Sequence, residues 1–341
     1  MLDLSHIDRG LADMDAEMQT TRTTPSTSSV LFELDGSSIL WAWYAFLVVF
    51  CCWGNIIHLT CVWQRTRSAD DTYSQTMRIL AVPWVINCAY RSLFPSLYLQ
   101  RYVFWDTPLN GILVDRGLAC VGELCCVFQT SLALRHVDRE ITGGRQWVQA
   151  TGWLSFVVYV VAEVCSYYNV ATTNELWCAI EVDLDALSYL VMLPASIYLL
   201  VLCPGPITGS SAKKFLAVMV PLTVLYPLYN FFIDAPMYLH RYAADQKAGK
   251  HYFGFLEGLE DAATRRIFTH EFNDWKEDMT WMVLYFCLGA GGGILLMYAP
   301  KLDPSNKTNI FTLKCAYEQN VQPQQSDENL TTITKKLSIG N

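Results

Sequence analysis

Long apolar runs alternate with short polar stretches along most of this chain. A helix needs about 20 residues to cross a hydrocarbon core of about 30 Å. Seven runs are close to that length or longer, at 37–63, 78–98, 108–135, 147–168, 185–203, 215–237 and 279–298. None of them alternates apolar and polar residues as outer-membrane strands do. The pattern predicts an all-α, polytopic integral membrane protein whose core is a seven-transmembrane-helix bundle.

The composition strengthens this prediction. Hydrophobic residues make up 52% of the 341 positions, and charged residues only 16%, against about 25% charged residues in soluble domains. The formal net charge is -8, so the chain lacks the basic surface that nucleic-acid binding requires. We therefore expect the lipid bilayer, and no nucleic acid, among its partners.

The distribution of Lys and Arg between the loops predicts the orientation. The first, third and fifth loops contain eight of them, and the second and fourth contain only Arg101. Short cytoplasmic loops are enriched in basic residues, so the amino terminus is predicted to lie outside or in a lumen and the carboxyl terminus in the cytoplasm. The pattern fits the plasma membrane and an endomembrane equally well.

Three segments outside the runs are polar or amphipathic. Residues 1–36 form an acidic tail rich in Ser and Thr, and residues 301–341 form a second polar tail; both compositions predict disorder. Within the sixth loop, apolar residues recur at helical spacing over 252–268. Such a helix either lies flat at the membrane interface or covers the mouth of the bundle as a lid.

Five ionisable residues fall inside the predicted spans: Arg91, Asp115, Arg116, Glu123 and Glu163. Burying a charge in lipid costs about 2.5–3.5 kcal/mol on the insertion scale, so each needs a partner or a polar cavity. Counted along the helices, all except Glu123 lie roughly 8–12 Å below the outer interface. We predict a charge-balanced layer, with Arg91 paired to Asp115 and Arg116 paired to Glu163.

Other polar residues extend this layer in both directions. Glu123 is predicted to lie deeper, level with Asn55 and His58 of the first helix, so that a second polar layer continues a path for a proton or ion. An outer acidic rim that attracts cations is formed by Glu181, Asp183, Asp185, Asp234 and Asp278. The alternative interpretation of the charged layer is a structural clamp between helices.

The predicted function is to bind or transport a proton, a cation or a small zwitterionic solute in a charged cavity of the outer half. Arg91 would neutralise Asp115, and Glu123 would act as a deeper relay. Arg116 would hold Glu163 or the carboxylate of a ligand. The alternatives are a seven-transmembrane, receptor-like sensor and, third, an intramembrane lipid-modifying enzyme. No histidine or cysteine spacing matches a metal site, so we expect neither a metal nor a cofactor.

Several short fragments resemble G-protein-coupled receptors. They are Gly54-Asn55 in the first helix, Asp138-Arg139-Glu140 after the third, Trp153 in the fourth and Tyr226-Pro227 in the sixth. The resemblance implies a cytoplasmic switch at Arg139 that contacts a partner, and a ligand site among the outer halves of the helices. The seventh run has no Asn-Pro-x-x-Tyr motif and no lysine of the retinal-binding kind. Cys165 and Cys178 flank the fourth loop, and their pairing stays an open possibility.

Overall fold

The computed structural model describes residues 35–66, 71–207 and 211–297. The first long helices are α1 (Gly36–Thr66), α2 (Thr72–Leu93), α3 (Ile112–Thr142), α4 (Gln146–Thr172), α5 (Glu175–Leu202) and α6 (Ser211–Ala248). They are followed by α7 (Phe255–Thr264), α8 (Phe272–Trp275) and α9 (Met279–Leu296). Wider π-helical turns occur at Leu47–Gly54 in α1, Asn230–Asp234 in α6 and Leu284–Gly289 in α9.

Six helices in the described part of the chain are long and apolar enough to cross a membrane: α1, α3, α4, α5, α6 and α9. Many large apolar side chains point outward from them, as lipid contact requires; Val49, Phe50 and Ile57 of α1 are each more than half exposed. This confirms the prediction of an integral membrane protein with several spanning helices.

Helix α2 is long enough to span but is not among these six. Its buried face includes Arg78, Asn87 and Arg91, and these lower its mean hydropathy. The helix is nevertheless embedded in the bundle. The indole of Trp84 donates to the carbonyl of Gly289 in α9 at 2.8 Å, and the α3 residue Gln129 donates to carbonyls of both α2 and α9.

Several helix ends differ from the predicted spans: α3 continues to Thr142 and α6 to Ala248, and at α2 and α5 the cause of the difference is visible. Helix α2 ends at Leu93, five residues before the predicted limit, because Pro95 restricts the residue before it and cannot donate a helical hydrogen bond. Helix α5 begins at Glu175, ten residues before the predicted run, and is capped by the Asn174 side chain, which accepts from the Leu176 amide at 3.0 Å. The predicted tails lie outside the described residues, apart from Asp35 and Gly36.

A small cap covers the end of the bundle where α1 begins. Strands β1 (Ser96–Leu97) and β2 (Tyr102–Val103) pair in an antiparallel manner, and β3 (Ile267–Phe268) joins β2 in parallel. Helix α7, which falls in the predicted amphipathic segment, packs on the end of α4. A Cβ atom added to its Gly258 would lie 1.7 Å from the carbonyl oxygen of Ala171, so this contact requires glycine.

Candidate functional site

The five charged residues of the predicted spans lie in one connected network, which we call the charge network. Nε of Arg91 lies 3.0 Å from Oδ1 of Asp115. On the neighbouring face of α3, Nη2 of Arg116 lies 3.1 Å from Oε2 of Glu123 and also pairs with Glu163 of α4. All five residues are buried, so helices α2, α3 and α4 are joined by ion pairs inside the bundle.

Glu123 belongs to this layer and does not form a separate, deeper one. Its carboxylate lies between the two guanidinium groups, 3.8 Å from Arg91 on one side and 3.1 Å from Arg116 on the other. The hydroxyl of Tyr285 in α9 also donates to it. The seven-residue spacing from Arg116 to Glu123 is two helical turns on one face of α3, and the long arginine side chain bridges that distance.

Glu181 is the acid of the predicted rim that joins the network directly. Its Oε1 lies 3.7 Å from Nη1 of Arg116, and its Oε2 accepts from the side-chain amide of Asn169 at 3.5 Å. Arg116 therefore contacts three carboxylates, those of Glu123, Glu163 and Glu181. Sequence counting placed Glu181 in a loop because α5 begins earlier than its apolar run.

Aromatic rings surround the other arginine. The guanidinium carbon of Arg91 lies 5.2–5.8 Å from the centroids of four rings, which belong to Tyr98, Trp281, Tyr285 and Phe286. Rings at this distance attract a cation through their quadrupole, and the attraction is stronger away from water. The Ser96 hydroxyl donates to Asp115 on the opposite side of the pair. These partners come from the β1–β2 segment and α9, and no charge pattern in the sequence identifies them.

The charge network contains more acids than bases. It contains four carboxylates, of Asp115, Glu123, Glu163 and Glu181, but only two guanidinium groups. A buried charge without a counterion is costly, and the usual remedies are a bound proton or a bound cation. The excess of acid is therefore the feature of this site that points most directly to its chemistry.

Two predicted members lie elsewhere. Asn55 is buried, but its amide donates to the carbonyls of Cys51 at 2.5 Å and Phe286 at 2.7 Å, so it ties α1 to α9. His58 is exposed on the outer surface of α1. The predicted second layer of Glu123 with Asn55 and His58 is therefore not assembled in this structure.

The remaining acids of the predicted rim have separate environments. Asp183 is exposed, and Asp234 accepts from the Tyr229 hydroxyl at 3.4 Å. Asp278 precedes α9 and accepts from the indole of Trp281 at 2.7 Å; burial raises the pKa of its carboxyl group. Asp185 lies one helical turn from Glu181; its carbonyl accepts from the Ser188 hydroxyl at 2.8 Å, and its side chain makes no hydrogen bond or ion pair among the described residues. The rim is thus a set of distinct sites.

A close helix contact holds the network together. A Cβ atom added to Gly122 of α3 would lie 2.7 Å from Cβ of Asn87 in α2, and Arg91 lies one turn further along α2. We expect Gly122→Ala to force α2 and α3 apart and to lower the free energy of unfolding by about 1–3 kcal/mol. Thermal unfolding in detergent measures this. Gly117→Ala is the matched control because nothing lies within 4 Å of its Cβ position; equal melting temperatures of the two variants would contradict the expectation.

The opposite end of α3 contains a second polar cluster. Asp138 is buried and accepts from the side-chain amide of Gln149 at 2.6 Å and from the Thr142 hydroxyl at 2.7 Å. Arg139 is exposed, and its Nε donates to the carbonyl of Arg135. The aspartate of the Asp-Arg-Glu triplet therefore anchors α3 to α4, while the arginine stays accessible.

The described residues show neither a disulfide between Cys165 and Cys178 nor a metal-binding group. Cys165 and Cys178 are both buried free thiols, so they do not form a disulfide here. Among the described residues, no group of three His, Cys, Asp or Glu side chains is arranged to hold a metal ion.

Comparison with known proteins gives no relative: no family model, no curated protein and no solved structure matches the chain.

Proposed function

We propose that this protein is a seven-helix membrane protein that binds a proton, a cation or a small zwitterion at the charge network and moves it across the bilayer. The observation that carries the proposal is the excess of acid in the network: three buried carboxylates and the partly exposed carboxylate of Glu181 face only two guanidinium groups. Such a layer holds an exchangeable positive charge at lower cost than it holds bare carboxylates.

The seventh span in this proposal is α2. It packs between α3 and α9, and it also presents Ile79 and Ile86 to the outside of the bundle with at least half of each side chain exposed. A helix with one polar inward face and one apolar outward face is what a span in contact with both protein and lipid requires. With seven spans, the excess of Lys and Arg in the odd-numbered loops supports an orientation in which the cap end of the bundle lies outside or in a lumen.

The two arginines have different partners, and we assign them different roles. Arg91 pairs with Asp115 and is surrounded by aromatic side chains, so we expect its charge to stay in place and to serve a structural role. Arg116 is shared by three carboxylates, so an entering cation or proton competes with it for Glu163 or Glu181. Glu123 contacts both arginines, so a change in the ion pairs of Arg116 would alter those of Arg91 through Glu123.

The test is ion flux through purified full-length protein in liposomes, under an imposed proton gradient and then under sodium and potassium gradients. We expect Glu163→Gln to abolish the flux because the neutral amide lacks the negative charge that balances a bound cation and has no titratable proton. Glu277→Gln is the matched control, since the Glu277 side chain lies outside the charge network and is 62% exposed. Unchanged flux in a folded Glu163→Gln protein would refute the proposal.

A receptor-like sensor is the second candidate. A single 31-residue helix, α3, contains Asp115 and Arg116 of the charge network and also the exposed Arg139 near its other end. A ligand that changes the pairing of Arg116 would act on the helix that also presents Arg139 to a cytoplasmic partner. A sensor changes conformation without net flux, so the liposome experiment separates the two candidates.

A further inference from the structure

The carboxyl groups of Glu123 and Glu163 contact the same nitrogen atom of the charge network. Nη2 of Arg116 lies 3.1 Å from Oε2 of Glu123 and also donates to Oε2 of Glu163. Two atoms that contact one nitrogen are necessarily near each other, and the two carboxyl groups lie within hydrogen-bonding reach. Both residues are buried, at 7% and 5% exposure. We call them the glutamate pair.

Two ionised carboxyl groups cannot hydrogen-bond to each other, because each is only an acceptor. Like charges this close also repel, which is why closely spaced carboxyl groups in other proteins hold one proton between them. Arg116 does not remove the repulsion, since Glu181 shares its single positive charge with the glutamate pair. Three carboxylates and one guanidinium group leave an excess of two negative charges, which one bound proton reduces to one.

The hydrogen bonds on the α5 side of Arg116 give independent evidence for a missing hydrogen. Asn169 is 3% exposed, and its Nδ2 lies 3.5 Å from Oε2 of Glu181. Its Oδ1 is buried without a hydrogen-bond partner among the described residues, although buried polar atoms usually have one. The neighbouring carboxylate of Glu181 has no hydrogen to donate. A proton that moves within this part of the network would supply the donor.

A proton fits the glutamate pair better than a metal ion does. The guanidinium group of Arg116 already contacts both oxygens, so a metal ion bound there would lie next to another positive charge. A metal ion also needs several converging oxygen ligands, and no described group of three acidic, histidine or cysteine side chains provides them. A proton on one carboxyl oxygen needs no further ligand.

We propose that the glutamate pair shares one exchangeable proton and that this proton is the ion which the protein carries. The proposal deepens the proposed function and rests on it for the transport itself. Oε1 of Glu123 accepts from the Tyr285 hydroxyl and lies 3.8 Å from Arg91, so Oε2 is the oxygen left to share the proton. Release breaks the O–H bond, transfers the proton to water and leaves two carboxylates.

Infrared spectroscopy detects the shared proton without transport. Full-length protein in lipid nanodiscs is measured at pH 7, where exposed glutamates are ionised. The carbonyl stretch of a protonated carboxyl group is separate from the bands of carboxylates. We expect difference spectra to show the loss of one such band in Glu123→Gln and in Glu163→Gln, because the remaining carboxylate then has Nη2 of Arg116 to itself and ionises.

Glu277→Gln is the matched control, because Glu277 is exposed and lies outside the network; it should leave the band unchanged. Persistence of the band in both variants of the glutamate pair would overturn the proposal. If a glutamine variant does not fold, Glu163→Asp replaces it, since aspartate keeps a carboxyl group on a shorter side chain. The band should then shift in frequency, and an unchanged band would overturn the proposal.

The failure of this proposal is distinct from the failure of the proposed function. Absence of the band from the parent protein, together with Glu163-dependent flux of any ion, would refute the shared proton and leave the transport standing. The band without flux of any ion would refute the proposed transport and leave the shared proton standing.

Discussion

Replacing Arg116 with glutamine is expected to lower the free energy of unfolding by about 3–5 kcal/mol. The guanidinium group contacts Glu123, Glu163 and Glu181 and is only 3% exposed. The substitution leaves three carboxylates around a neutral side chain in the interior of the bundle. Thermal or denaturant unfolding in detergent micelles measures the loss.

Two further variants separate the charge of Arg116 from its shape. Arg116→Lys retains the charge but lacks the planar fork that serves several carboxylates at once, so we expect an intermediate loss. Adding Glu163→Gln to Arg116→Gln removes one of the carboxylates that lost its partner. The double variant should therefore recover part of the free energy of unfolding. A loss below about 0.5 kcal/mol for Arg116→Gln, the range of ordinary surface substitutions, would contradict this account of the network.

Replacing Arg101 with glutamine is expected to open the cap. Arg101 is 2% exposed, and its Nε lies 2.8 Å from Oδ2 of Asp261 in α7. The same guanidinium donates to the carbonyls of Tyr98 at 2.7 Å, Val170 at 2.8 Å and Gly258 at 3.3 Å. Burial lowers the pKa of Arg101, and Asp261 opposes that effect. One side chain therefore joins the β1–β2 turn, the end of α4 and α7.

We expect Arg101→Gln to destabilise the cap locally by about 3 kcal/mol, the lower part of the range for breaking a buried pair. Hydrogen exchange of the backbone amides at 255–268 reports this directly, because local opening exposes them without unfolding the spans. Arg265→Gln is the matched control: its guanidinium lies 3.8 Å from the same Asp261 but is 53% exposed, so its loss should stay below about 1 kcal/mol. Equal exchange in both variants would contradict the special role of Arg101.

The sequence identifies the spans and the charged residues within them because each signal is local. Twenty apolar residues in a row predict a membrane helix, and a charge inside such a run must be buried in the bundle or paired. Helix α2 gives a weaker signal, because its buried residues Asn87 and Arg91 lower the hydropathy that identifies a span. The residues that matter most for the site therefore weaken the signal of the helix that contains them.

The partners of the charges were harder to anticipate. Counting along a helix gives the depth of a residue but not the direction in which its side chain reaches. Depth alone therefore predicts a deeper layer of Glu123 with His58, whereas the Glu123 carboxylate reaches back to Arg91 and the His58 side chain points outward. One of the aromatic rings around Arg91 belongs to Tyr98, and the other three belong to α9, 190–195 residues further along the chain. Only the packing of distant helices brings these groups together.

Transport by the charge network requires that water and solute reach it, and the proposed outer-half cavity predicts access from the cap end. Glu181→Cys tests it, since Glu181 contacts Arg116 of the network and lies six residues from the start of α5, the end of that helix that is joined to α4 beneath the cap. A charged, membrane-impermeant thiol reagent is applied to sealed vesicles of known orientation, with the parent protein correcting for its native cysteines.

We predict rapid modification from the cap side and none from the other side. Val201→Cys, whose side chain is 77% exposed on the apolar surface of α5, should react from neither side. Modification of Glu181→Cys only from the side opposite the cap, or no modification of the folded protein from either side, would contradict the account.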